Sequence, residues 1–140
     1  MAPDEQPGPE EKLEALRAHI EESDDIAEAD AELLFEFDDR LAGTRVRRHE
    51  KLLRHCVILA EETEDGTLAA SLTDREAAEE MMDWIFDARI SEKANRNFRV
   101  ALRVFGKKVS EGDDDELPDS IGWIPTHTSP DYDSSPGHVI

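Results

Sequence analysis

One cysteine, Cys56, in 140 residues excludes an intramolecular disulfide framework. No apolar run comes near the roughly 18 residues that a membrane-crossing helix needs. The opening "MAPDEQPGPEEK" lacks both the cationic start and the apolar stretch of a secretory signal. A soluble, cytoplasmic protein without a membrane partner is expected. Strand-like alternation is missing as well, and no internal repeat is visible. Lysine is scarce: five of the sixteen cations, the remainder being arginine.

Acid is what the chain has in quantity. Thirty-five Asp and Glu against sixteen Lys and Arg give a formal net charge of −19 and a pI near 4.5. Such a surface stays soluble by self-repulsion and holds a layer of hydrated cations. An acidic partner-binding surface or adaptation to molar salt explains it. The acid is spread over most of the chain, which favours salt.

Apolar periodicity sets the expected architecture. Residues 1–9, with three prolines and a glycine, read as a disordered leader. Residues 10–26 form a short helix and turn, with Leu13, Leu16 and Ile20 at helical spacing. Residues 27–111 form the main helical domain. Its first helix, about 27–41, carries Leu33, Leu34, Phe37 and Leu41 and stops near Gly43. The next runs over about 45–63, with Thr44 as its expected cap. "TDRE" reads as a capping box that starts a helix at Thr73 and continues to about Ala88. Ser91 caps the last helix, about 92–110, before Gly112. Residues 112–140, acidic and rich in proline and serine, read as an extended linker. The expectation is an all-α, compact bundle of about four main helices, with a short N-terminal helix and an extended C-terminal linker.

Charge is partitioned unevenly along this chain. Residues 40–60 hold six cations (Arg40, Arg45, Arg47, Arg48, Lys51, Arg54) and one acid, Glu50, a local net of +5. Residues 89–108 hold seven (Arg89, Lys93, Arg96, Arg99, Arg103, Lys107, Lys108) and one acid, Glu92, a net of +6. Between them, residues 61–88 hold ten acids and one cation, a net of −9. At about 100° per residue, Arg96, Arg99, Arg103 and Lys107 fall within roughly 80° of one another, Lys93 at the edge. Phe98, Leu102, Phe105 and Val109 lie opposite. On the preceding basic helix, Arg47, Lys51, Arg54 and His55 share a face, opposed by Leu52, Leu53, Cys56, Leu59 and Ala60.

Two helices are thus expected to turn a core stripe inward and a cationic stripe outward. Phosphate suits arginine's bidentate fork, and an α-helix fits the major groove, so double-stranded DNA is the expected partner. The alternative is a solvated face neutralised by nearby acid. Neither segment is read as containing the i,i+4 acids that would neutralise it locally. Asn95 and Asn97 flank the second stripe within reach of base edges.

The stretches "RRHEKLLRHCVILAEET" (47–63), "LTDREAAEEMMDWI" (72–85) and "NRNFRVALRVFGKKV" (95–109), with "DELPDSIGWIPTHTSPDYD" (115–133), resemble the N-terminal core-binding, or SAM-like, domain of tyrosine recombinases, the phage-type integrases. More closely, they resemble the form found in haloarchaeal integrases. The resemblance implies a four-helix bundle whose second and fourth helices lie against DNA near the exchange site. It makes Arg47, Arg48, Lys51, Arg54, His55, Lys93, Arg96, Arg99, Arg103 and Lys107 the expected DNA-contacting residues. Recombinase subunits on the same DNA become expected neighbours.

That family also needs a catalytic domain with an arginine, a lysine, a His-x-x-Arg pair and a tyrosine nucleophile. No His-x-x-Arg occurs here, and Tyr132 sits in acidic "SPDYDSSP". Binding and positioning without covalent chemistry are expected, with no cofactor, metal or small-molecule substrate. Cys56 reads as a buried structural thiol. His49 lies on the same side but about 10 Å along the helix, too far to share a metal with it. His127 and His138 flank Asp131 and Asp133 without the spacing of a metal site, and "GDDDE" lacks the alternation of a calcium loop. Trp84 reads as core and Trp123 as connector packing. A protein-interaction module, using the N-terminal helix and the acidic 61–88 segment, is the competing function.

Overall fold

A computed structural model describes residues 8–109 and 118–125 of the protein. Among them are seven helices and no strand: α1 (Pro9–Glu22), α2 (Glu28–Arg40), α3 (Val46–Glu62), α4 (Thr67–Ala70), α5 (Arg75–Asp87), α6 (Glu92–Val109) and α7 (Asp119–Gly122). The all-α bundle expected from periodicity is what forms. None of these helices is long and apolar enough to cross a membrane.

Local chemistry sets the helix ends. Pro9 occupies the first helical position of α1, where its missing N–H costs nothing, and Glu11 Oε1 accepts the Gly8 N–H at 3.0 Å. Gly43, at φ 94°, makes the turn that ends α2. Two expected caps differ from those found. Arg45, not Thr44, is the cap residue of α3 and offers no side-chain bond. Asp74, not Thr73, caps α5: its Oδ1 accepts the Glu76 N–H at 3.0 Å, while Thr73 belongs to the preceding turn. Ser91 does cap α6, its Oγ accepting the Ala94 N–H at 3.1 Å.

α3 and α6 pack along one another at the centre, with α1, α2 and α4 against α3 and with α2 and α5 against α6. Leu53, Cys56, Leu59 and Ala60 meet Ala101, Leu102 and Phe105, all fully buried. Phe37 of α2 sets its ring edge-on to Phe105, centroids 5.3 Å apart. α4 is held by a carboxylate from a distant helix. Fully buried Asp30 of α2 accepts the Gly66 N–H at 3.1 Å and the Ala69 N–H at 2.9 Å. These are orphan donors at a helix start, which Gly66, at φ 84°, turns toward it.

Of the expected linker, residues 118–125 are described. Residues 118–125 fold back on α5 and α6 as a strap containing α7. Ile121 and Ile124 are 0% and 1% exposed, a burial that stabilises the strap by roughly 3–6 kcal/mol. Ser120 Oγ donates to the Ser71 carbonyl at 2.6 Å. Gly106 provides the berth: a Cβ there would lie 1.9 Å from Ile121 Cδ1.

Candidate nucleic-acid interface

The outer face of α3 follows the helical wheel closely. Arg45, Arg47, Arg48, Lys51 and Arg54 are exposed, while Leu52, Leu53, Cys56, Leu59 and Ala60 are buried. The expectation that no i,i+4 acid neutralises this segment locally fails at one position: Arg54 Nε lies 2.9 Å from Glu50 Oε2, one turn back, because the two side chains share a helix face. Arg45, Arg47, Arg48 and Lys51 make no ion pair among the described residues.

His55 departs from the expected outward face. It is buried, its Nδ1–H donates to the Lys51 carbonyl at 2.7 Å, and its ring stands edge-on to Phe98 at 4.6 Å. Burial, together with the charges of Arg54 and Lys51, pushes its pKa below the usual imidazole range. A neutral, enclosed ring of this kind packs α3 on α6 and does not face phosphate.

On α6 the expected cationic stripe is divided. Lys93, Arg96 and Lys107 are exposed. Arg99 is only 2% exposed: its Nε donates to Asn95 Oδ1 at 2.7 Å and its Nη1 to the Pro125 carbonyl at 2.8 Å. Its guanidinium also lies 5.5 Å from the centroid of the Phe86 ring. Arg103 is half-buried, with Nη1 donating to the carbonyls of Gly122 at 2.9 Å and Ile124 at 2.8 Å. Both guanidiniums therefore satisfy backbone carbonyls of the strap, where charge-assisted bonds are stronger than neutral ones. Asn95, expected near base edges, instead orients Arg99 and donates to the Ile85 carbonyl at 3.4 Å.

The strap runs antiparallel to α6. Pro118 and Ile121 sit by Gly106, Gly122 and Ile124 by Arg103, and Pro125 by Arg99. Trp123 closes its outer side, its ring 4.5 Å from the Arg75 guanidinium and its Nε1–H on the Ser120 carbonyl at 2.6 Å.

The fold adds one cation that the charge count along the chain did not group with the others. α1 packs on α3 through Leu13 and Ile20, which places Lys12 beside Arg47, Lys51 and Arg54 around one cleft. The remaining polar clusters are structural. Asp38 accepts Arg17 Nε at 2.7 Å and Nη2 at 3.0 Å, and His49 Nε2 lies 2.7 Å from Oδ1. Burial alone would raise the Asp38 pKa, but the bonds from Arg17 and His49 outweigh it and hold it below the usual carboxylate range. Cys56 is buried with its Sγ on the Ala101 carbonyl, and burial pushes its thiol far up, so it remains a neutral packing group. His127, Asp131, Tyr132, Asp133, His138 and the "GDDDE" run lie outside the described residues.

Comparison with protein-family models, with curated proteins and with solved structures returns no match for this chain.

Proposed function

We propose that this chain is a double-stranded DNA-binding domain, of the core-binding kind its sequence resembles in tyrosine recombinases, and that the outer face of α3 is its main contact. One observation carries the reading. In a protein with 35 acidic residues, Arg45, Arg47, Arg48 and Lys51 stand exposed on α3 without an ion pair among the described residues. A solvated face in so acidic a chain gains nothing by keeping its cations away from carboxylates. A face shaped to take phosphates does, because each neutralised phosphate releases counterions.

α3 has the diameter and the arginines to enter or straddle the major groove. Lys93, Arg96 and Lys107 of α6 add backbone contacts. Arg99 and Arg103 hold the strap and take no part. Binding and positioning, with no covalent step, is the activity assigned, in a cytoplasmic setting and beside recombinase subunits if the likeness extends to assembly. At about 1 M salt the Debye length is only about 3 Å, so base and shape contacts carry more of the affinity there.

Fluorescence anisotropy with labelled duplex DNA across a potassium chloride series tests the reading. Affinity is expected to fall with a log–log slope of about −0.9 per phosphate contacted. Arg47→Glu with Lys51→Glu, both exposed, is expected to abolish binding and leave the far-ultraviolet spectrum unchanged. Equal binding by the reversed protein would overturn the proposal.

A further inference from the structure

α1 stands outside the four-helix bundle that the family resemblance implies, yet it packs on α3 through Leu13 and Ile20. Its apolar side, Leu13 and Ile20, is used against the bundle. Its charged residues are mostly engaged: Arg17 with Asp38, His19 with Glu61 at 2.6 Å, Glu11 with the Gly8 N–H. Lys12 is different. It is exposed and makes no ion pair among the described residues.

Packing brings Lys12 to the rim of a cleft of about 580 Å³ between the start of α1 and the outer face of α3. Arg47, Lys51 and Arg54 line the same cleft, and Glu50 is the one carboxylate among its described lining residues. These described residues, four cations and one acid, carry a local net of +3 in a chain whose net is −19. Glu50 is itself only 8% exposed and bonded to Arg54 Nε, so its charge is already engaged. Lys12, Arg47 and Lys51 are left with donors directed at nothing else recorded among the described residues. Three such cations converging from two helices match the tetrahedral, multiply charged oxygen cluster of a phosphate group, with arginine as the fork and lysine as the point charge.

We propose that this cleft is a phosphate-binding site built jointly by α1 and α3, with Lys12, Arg47 and Lys51 as ligands and Arg54 held at its edge by Glu50. The inference rests on the DNA reading for one source of the phosphate, a backbone phosphodiester flanking the groove that α3 contacts. A free phosphate compound is the other source. α1 then acts as a clamp that closes the anion site from the side.

Two measurements on the full chain separate these cases, each made on the wild type and on Lys12→Gln. The first is the salt dependence of duplex DNA binding. If Lys12 holds a backbone phosphate, Lys12→Gln lowers the magnitude of the log–log slope by about 0.9. The second is titration with inorganic pyrophosphate, followed by amide chemical shifts. Saturable shifts at Lys12, Arg47 and Lys51 that Lys12→Gln weakens several-fold support a site for free phosphate. That result without any DNA binding would sink the DNA reading and keep the site. DNA binding with an unchanged slope, together with no pyrophosphate response, overturns the site and leaves the DNA reading standing. Silence in both assays overturns both.

Discussion

Arg99 of α6 and Pro125 of the strap, 26 residues apart, are joined by a 2.8 Å bond from a guanidinium to a backbone carbonyl. The guanidinium is almost completely enclosed, and its Nε donates to Asn95 Oδ1 on the same helix at 2.7 Å. A residue whose sequence position places it in a basic stripe is therefore a strut between two parts of the fold.

Truncating that strut leaves a part-buried carbonyl without this donor and opens a cavity where the enclosed guanidinium stood. Arg99→Ala is expected to lower stability by about 3 kcal/mol, while Arg96→Ala, one turn earlier and exposed, stays within about 0.5 kcal/mol of wild type. Urea unfolding followed by circular dichroism measures both. Similar midpoints for the two variants would mean that the strap is not held by Arg99.

Gly106 and Ile121 form a second, independent contact. Gly106→Ala would place a methyl 1.9 Å from Ile121 Cδ1, a clash costing about 1–3 kcal/mol against a helix-propensity gain of about 1 kcal/mol. Ile121→Val alone removes that methyl from the core, at about 1 kcal/mol. In the Gly106→Ala background the same change relieves the clash, and the double variant is expected to be more stable than Gly106→Ala. Additive effects in a double-mutant cycle would show that the strap does not sit on Gly106.

Asp38 should stabilise the fold more as pH rises. Its folded pKa is depressed by Arg17 and His49, so its contribution is complete above the ordinary carboxylate value of about 4 and is lost as pH falls through the lower folded value. Asp38→Asn is expected to cost about 2 kcal/mol at neutral pH. The gap between wild type and variant should close below about pH 4. A gap constant from pH 7 to 3 would refute the assignment.

Asp30 should behave with the opposite sign. Burial is the main influence on its carboxyl and, with the nearby Asp65 charge, outweighs the N–H bonds from Ala69 and Gly66, so its folded pKa is raised. Its stabilisation is complete below the ordinary carboxylate value and declines as pH rises through the folded one. Asp30→Asn keeps one acceptor and titrates nothing. Its stability relative to wild type is expected to improve as pH rises above about 4, whereas the Asp38→Asn variant loses ground as pH rises toward that value from below. Parallel slopes for the two variants would contradict this.

The long helices were legible because apolar residues recur along them for three turns or more. Predicted bounds for α1, α2, α3 and α6 fall within about two residues of those found, the usual uncertainty at frayed ends. α4 and α7 have four residues each, too few for any period to register. The cationic face of α3 was legible on the wheel, since Arg47, Lys51 and Arg54 stay exposed even where α1 flanks them. On α6 the wheel gives an angle but not a neighbour. Arg99 and Arg103 lie on the edge of the stripe that the strap covers, and His55 lies on the edge of α3 that Phe98 covers. The one sign of the strap was the apolar spacing of Ile121, Trp123 and Ile124 inside a stretch whose proline and acid read as linker. Lys12 carried no local signal, because only the packing of α1 on α3 brings it to the cleft.

The antiparallel run of the strap sets where, and on which heading, the chain stands at Pro125. From Val109 at the end of α6 the chain crosses to Pro118, then travels back beside Gly106 and Arg103 to Arg99. At 1.5 Å per residue, the ten residues from Val109 to Arg99 amount to about 15 Å. Pro125 is thus a fixed mooring point near the middle of α6, on a heading opposite to that helix. Two arginines and a glycine thus fix the position and bearing of the chain at Pro125 relative to α6.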